Sequence, residues 1–316
     1  MRFALMSEPQ QGLSYEEILA LARAAESAGL EAFFRSDHYA SFPGPPGLPT
    51  TDAWATLAGL ARDTTSIRIG SLVSPVTFRI PGSFAKLTAT VNEMSGGRLE
   101  VGMGAGWNEA EHQQLGIPYP ALGERYERLE EAVAIVHGLW TEPDGWTYEG
   151  RHWHVRGSVF SPRPVSGDRR HPNLILGGDG GPRLARLVAT YADEFNRQSA
   201  TPELLREAYA RVSDACTAAG RDPGSVVHSA MVGVLVAETQ DELRDRVRQQ
   251  TAMFGATADA DAWLAERRER WITGTLDEAQ DAVATLEAAG AQRIMLQDFL
   301  PRDLDMVALL GRIAAG

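Results

Sequence analysis

Short apolar runs rich in Val, Ile and Phe alternate along this chain with amphipathic segments of helical period, a pattern that predicts a repeating strand and helix rhythm. Arg2 to Met6 reads as the first strand. The helix after it is announced by the capping box Ser14…Glu17, carries Ile18, Leu19, Leu21, Ala22 and Ala25 on one stripe, and stops at Gly29. Strands follow at Ala32 to Arg35, Ile67 to Val73 and Leu99 to Met103, with a helix around Trp54 to Ala61 between the first two. Pro81 opens the next helix and Gly96-Gly97 closes it. A further helix buries Tyr126, Leu129, Val133, Val136 and Leu139 on one face. From about Pro143 to Pro172 the rhythm breaks: Trp146, Tyr148, Trp153, Val155 and Val159 stand among Gly and Pro, which predicts a β-hairpin excursion and then a loop. It resumes with strands at Asn173 to Leu176, Glu194 to Gln198 and Val226 to Val236, and helices at Pro182 to Ala192 and Pro202 to Ala219. Helical segments fill roughly 240 to 271, a capped helix starts at Thr275 with Glu278 closing its box, and Arg293 to Gln297 is the eighth strand before a terminal helix.

Eight strands, each followed by a helix and with no linker or shift in composition between them, predict an α/β fold of the (β/α)8 TIM-barrel kind. The expectation is one domain over residues 1–316 with an insertion near 143–172. Helix ends at Ala28-Gly29, Ala219-Gly220 and Ala289-Gly290 echo one another and agree with it. The rival is a doubly wound sheet with a second, smaller domain.

Charge narrows the partners. With 30 Lys+Arg against 42 Asp+Glu the net charge is -12, which argues against non-specific nucleic-acid binding and against docking on anionic membranes. A phosphorylated small ligand held by backbone amides remains compatible. The single cysteine, Cys216, rules out an internal disulfide framework and a multi-cysteine zinc site, and its helical stripe with Tyr209 and Val212 marks it as a buried thiol. No charged leader precedes Arg2 and no long apolar stretch occurs, so a cytoplasmic protein is expected.

In a barrel the site is built from the loops after the strands, which directs attention to four places. Asp37 and His38, in Arg35-Ser36-Asp37-His38-Tyr39, suit proton transfer or the orientation of a polar ligand, because histidine titrates near neutrality and an adjacent carboxylate tunes it. The alternative is a loop pair that bonds only to turn backbone. Ser74 to Arg79 mixes hydroxyls and a cation with apolar side chains, a blend suited to a planar heterocycle or to a merely shaped loop. Gly102-Met103-Gly104-Ala105-Gly106-Trp107-Asn108 reads as a binding loop; its G-x-G-x-G spacing is not the dinucleotide fingerprint G-x-G-x-x-G. Gly177 to Gly181, before a helix opening at Pro182, offers free N–H groups and predicts a phosphate site, with a flexible turn as the alternative. His152 and His154 flank Trp153, yet no further ligand cluster accompanies them, so no metal is expected.

The stretch from Gly70 to Tyr119, densest in SGGRLEVGMGAGWNE (Ser95 to Glu109), resembles the core of the luciferase-like flavin and deazaflavin oxidoreductases, specifically the bacterial branch that uses coenzyme F420. The likeness runs in order through Ser36-Asp37-His38 and the turn at Leu176 to Gly178, while the last sixty residues agree mainly in pattern. What the resemblance implies is a cofactor ring over strand three, against a bulge with a non-prolyl cis peptide at Leu72-Val73, with Ser74, Gly104, Asn108 and His112 around it. Leu176, Gly177, Gly178, Asp179 and Gly180 would surround its phosphate, and His38 with Asp37 would face the substrate. It further implies a homodimer and an F420-dependent transfer of hydride to or from a small organic substrate. An FMN-dependent monooxygenase using reduced flavin and O2, and a cofactor-binding barrel without catalysis, are the alternatives.

Overall fold

The computed structural model describes residues 1–316 except 165, 166, 168, 169, 256 and 258. Part of the expected loop after the hairpin therefore lies outside the described residues. The strands are β1 (Arg2–Ser7), β2 (Ala32–Arg35), β3 (Arg68–Pro75), β4 (Leu99–Gly104), β5 (Trp146–Glu149), β6 (His154–Ser158), β7 (Asn173–Gly177), β8 (Glu194–Gln198), β9 (Val227–Ala237), β10 (Ile272–Thr275) and β11 (Arg293–Asp298). The helices are α1 (Tyr15–Ser27), α2 (Ala53–Asp63), α3 (Pro81–Met94), α4 (Glu109–Leu115), α5 (Leu122–Thr141), α6 (Pro182–Tyr191), α7 (Pro202–Ala218), α8 (Gln240–Met253), α9 (Ala260–Arg267), α10 (Leu276–Ala288) and α11 (Leu304–Ala315).

Eight parallel strands close on themselves in the order β1, β2, β3, β4, β7, β8, β9, β11, with β11 returning to β1 from Arg2↔Arg293 to Ser7↔Asp298. This is the (β/α)8 barrel. The Ser14…Glu17 and Thr275…Glu278 boxes cap α1 and α10. β5 and β6 form the expected antiparallel hairpin outside the barrel.

One strand departs from the sequence reading. β10 was not expected, and its presence explains the length of β9: residues 229–234 of β9 pair with β11, while Val234 to Ala237 run past the end of β8 and pair with β10. Four residues are too few for a period to register.

Strand alternation sorts the side chains into two cores. Phe3, Leu5, Ile294 and Leu296 pack outward against the helices, while Ala4, Met6, Leu72, Ile175, Met231 and Met295 fill the lumen. The lumen floor is ionic. Arg293 Nη1 lies 2.7 Å from Glu100 and 3.0 Å from Glu194, and Arg68 Nε lies 2.6 Å from Glu100. Burial pushes both carboxyls up; the two arginines reverse this for Glu100, whereas Glu194, sharing only one, stays raised.

Asp298 faces outward at the end of β11, fully buried, with Oδ1 accepting from Leu300 N at 2.7 Å and Oδ2 without a partner. Burial pushes its carboxyl up to about 7. The folded chain thus holds this proton more tightly than the unfolded chain does. The residue's contribution is intact below about pH 4 and is lost as pH rises to about 7. Asp298→Asn keeps the bond to Leu300 and never ionises, so at about pH 8 it should exceed the wild type by up to roughly 4 kcal/mol, with the gap closing toward about pH 4. Denaturant unfolding across that range checks this, and parallel curves would contradict it.

Candidate active site

The polar groups after β1 to β4 meet at the C-terminal mouth of the barrel. Between Ser71 and Ser74 the register of β3 against β4 shifts, and the Leu72-Val73 peptide is cis, as the resemblance implied. Leu72 belongs to the lumen core and Val73 packs beside it. Three glycines make room for that valine. A Cβ at Gly102 or Gly177 would come within 2.9 Å of Val73 Cγ1, and one at Gly104 within 2.7 Å of Val73 Cγ2. Gly102, Gly104 and Gly177 therefore accommodate the bulge, and the glycine spacing at the end of β4 serves the neighbouring strand rather than a dinucleotide.

His38 sits over the rim with a side chain 13% exposed. Its carboxylate partner is Glu111 of α4, not Asp37: Nδ1 lies 2.9 Å from Glu111 Oε1, while Oε2 accepts from Tyr39 N at 2.8 Å. Glu111 is buried, and the rings of Phe42 and Trp107 stand edge-on to the imidazole at 4.4 and 5.8 Å. Among the described residues Nε2 has no protein partner, and it is not sealed from solvent. The arrangement fixes one nitrogen and leaves the other facing the mouth.

Asp37 has a different task. It accepts from Ser74 Oγ at 2.7 Å and from both terminal nitrogens of Arg79, which also reaches Asp52 at 2.7 Å and the Tyr39 hydroxyl at 3.0 Å. Burial opposes the charge on Arg79, and the adjacent Asp37 more than offsets it, so its pKa is raised. Ser74 Oγ in turn accepts from Trp54 Nε1 at 2.9 Å. Both Asp37 and the Ser74 hydroxyl are thus committed to holding the loops after β2 and β3 together.

His112 is fully buried. Its Nδ1 is 2.6 Å from the Asn108 carbonyl, which only accepts, so Nδ1 carries hydrogen and Nε2 accepts from Thr77 Oγ1 at 2.7 Å in the neutral ring. Neither nitrogen is left for a ligand; His112 pins Asn108 instead. Asn108 precedes α4 without capping it, which leaves its amide available.

After β7 the chain turns through Gly177 to Gly181 into α6, where Pro182 is the first helical residue and no side chain caps the end. The Gly178 amide, expected to face a phosphate, donates to Asn196 O at 3.2 Å in the sheet. Among the described residues, the amides of Asp179, Gly180, Gly181, Arg183 and Leu184 have no protein acceptor. Arg197 at the end of β8 reaches Asp179 at 2.7 Å, and its buried Nε is unpaired. Leu176 points outward into the helical layer, as its alternation with lumen-facing Ile175 requires, so only its main chain borders this turn.

Two groups escaped the sequence reading. Glu111 lies 73 positions from His38, and Glu8, just past β1, accepts from Gln297 Nε2 at 2.5 Å and from Gln10 Nε2 at 2.7 Å. His152 and His154 pair separately with Glu127 and Glu149, and no cluster of metal-ligating side chains occurs among the described residues. Nor is any described helix long and apolar enough to cross a membrane.

The bulge, the turn with free amides and His38 thus stand at one mouth of a parallel barrel, the end at which barrels of this kind carry their sites. The chain belongs to the luciferase-like monooxygenase family, whose model matches residues 1–300. It is 26% identical over 287 residues to the pyrimidine monooxygenase RutA of Stutzerimonas stutzeri (strain A1501), covering 88% of this chain and 75% of that one. It is 33% identical over 211 residues to the F420-dependent glucose-6-phosphate dehydrogenase of Microbacterium testaceum (strain StLB037), covering 66% of this chain and 60% of that one. Among solved structures, an F420-dependent secondary alcohol dehydrogenase in complex with an F420-acetone adduct superposes with a TM-score of 0.82 at 21% identity, over 99% of this chain and 97% of that one. The monooxygenase RslO1 from Streptomyces bottropensis gives 0.81 at 23%, over 99% and 98%. At these identities the two structures bear on the fold alone.

Proposed function

We propose that the protein is an oxidoreductase that binds coenzyme F420 in the barrel mouth and transfers a hydride between it and a small organic substrate. The observation that carries this reading is the combination at one mouth of the Leu72-Val73 bulge, a turn with five amides unpaired among the described residues, and His38 with a free Nε2. The residues fit such a group. The Leu72-Val73 bulge would support the ring, the Asn108 amide would bond to it, and the Asp179 to Gly181 amides with the α6 N-terminus would hold its phosphate. When bound, F420 supplies a carbon that accepts or donates hydride. His38 Nε2 gives a proton to, or takes one from, the substrate heteroatom, while Glu111 fixes the orientation of the imidazole. Asp37, through Arg79 and Ser74, sets the position of the loops that carry His38 and the platform.

The preference for F420 over FMN rests on the resemblance at Ser95 to Glu109 and on the 33% identity to an F420-dependent dehydrogenase. An FMN-dependent monooxygenase is the second reading, favoured by the 26% match to RutA over most of the chain. Turnover with O2 uptake recorded beside the cofactor's absorbance separates them. F420 chemistry gives equal cofactor and substrate conversion with no O2 consumed, and O2 uptake dependent on reduced FMN would replace this reading with the second.

A further inference from the structure

The geometry points to Glu8 as the residue that selects the substrate, favouring a neutral or cationic small molecule with a hydroxyl or amine donor and rejecting carboxylates and phosphates. This rests on the mouth being the substrate site. Glu8 follows lumen-facing Met6 by two positions, and Met6 is the register partner of Gln297, so the Glu8 carboxylate and the Gln297 amide share the lumen side at the rim. Glu8 is 5% exposed, and both of its oxygens act as acceptors, one for Gln297 and one for Gln10. No arginine or lysine pairs with it among the described residues.

The same Gln10 ties this acid to the His38 side of the mouth. Its Nε2 also donates to Phe42 O at 3.3 Å, its Oε1 accepts from Ser36 Oγ at 2.6 Å, and the Phe42 ring packs on His38. One residue further along the turn, both amide atoms of Gln11 are buried without a partner, although the side chain is 4% exposed. Buried polar atoms of this kind mark a place where a hydrogen-bonding group belongs.

The neighbouring cations are already engaged. Arg35 bonds to Thr51, Thr56 and the Ser36 carbonyl, Arg79 to Asp37 and Asp52, and Arg197 to Asp179. Arg35 feels the Glu8 charge but spends its guanidinium on Thr51, Thr56 and Ser36, so among the described residues an anionic substrate head would meet Glu8 with no unengaged cation to bond to. A hydroxyl or ammonium finds the second lone pairs of the carboxylate instead.

The test uses the full chain loaded with whichever cofactor it binds, and three probes on one carbon skeleton: cyclohexanol, cyclohexylamine and cyclohexanecarboxylate. Dissociation constants come from saturation-transfer NMR. The wild type should bind the alcohol and the amine at least about tenfold more tightly than the carboxylate, and Glu8→Gln should bring amine and carboxylate within about threefold of each other. Equal binding of all three by the wild type, an unchanged ratio in Glu8→Gln, or no binding of any probe would each overturn the assignment. If Glu8→Gln does not fold, Gln297→Leu takes its place. That variant keeps the charge and frees one oxygen, so the amine preference must persist or grow, and its loss would contradict the role of Glu8. Cofactor titration of the same samples keeps the two readings apart. A wild type that binds neither cofactor counts against the proposed function, and the probe ratios are then read on the unloaded chain.

Discussion

Replacing His38 with alanine lowers kcat by roughly 100- to 10,000-fold and leaves the cofactor dissociation constant within about threefold of the wild type. The size follows from the role: a positioned proton donor or acceptor acts in the transition state, so its loss falls on kcat rather than on binding. The selectivity follows from placement. His38 is anchored by Glu111 on α4 and flanked by Phe42 and Trp107, whereas the platform belongs to β3 and the unpaired amides to the turn before α6. Stopped-flow reduction or oxidation of the bound cofactor measures the step, and fluorescence titration measures the affinity. A collapse of affinity with an unchanged rate per bound cofactor would assign His38 to binding instead. Glu111→Gln is the milder companion: its single amide oxygen can accept from only one of the His38 ring and the Tyr39 N–H that the two carboxylate oxygens serve, so the imidazole is held less firmly and kcat falls by less than in His38→Ala.

The second large effect is at Gly177. Valine there puts Cβ about 2.9 Å from Val73 Cγ1 and adds two methyl groups to a space that Gly102, Gly104 and Gly177 keep for the bulge. Overpacking of this kind costs about 1 to 3 kcal/mol, and the part relieved by moving Val73 tilts the surface on which the ring is to rest. Gly177→Val should therefore weaken cofactor binding by at least about 30-fold. Val73→Ala removes both methyl groups that the new side chain meets. Added to Gly177→Val it should restore at least half of the lost binding energy, a coupling that a double-mutant cycle reads directly. Additive losses would show that Gly177 acts through something other than Val73.

What the sequence conveys and what it withholds divide along the range of the interactions. Strands such as Arg2 to Ser7 and Leu99 to Gly104 are legible because alternation and caps are local. The Gly177 to Gly181 turn is legible as a run of free amides for the same reason, although the state of individual amides is not: Gly178 spends its N–H on Asn196, and only the sheet partner reveals that. For Leu176, alternation already limits any role at the turn to its main chain, since Ile175 takes the lumen side. The partner of His38 is a long-range fact. Adjacency suggested Asp37, but the chain turns Asp37 toward Arg79, and the carboxylate that meets the imidazole comes from a seven-residue helix lying 73 positions further on. His112 likewise reads as a free ligand until its two nitrogens are seen to be engaged by Asn108 and Thr77.

Equilibrium titration of the purified chain with F420 and, separately, with FMN, followed through tryptophan emission, tests the central claim most directly. Trp107 lies at the rim beside His38, so a ring bound in the mouth lies close enough to alter its emission. The account predicts saturable quenching by F420 at micromolar concentration, and weakening of that binding in Gly177→Val. If neither F420 nor FMN quenches in that range, the barrel mouth is not a deazaflavin or flavin site and the proposed function falls.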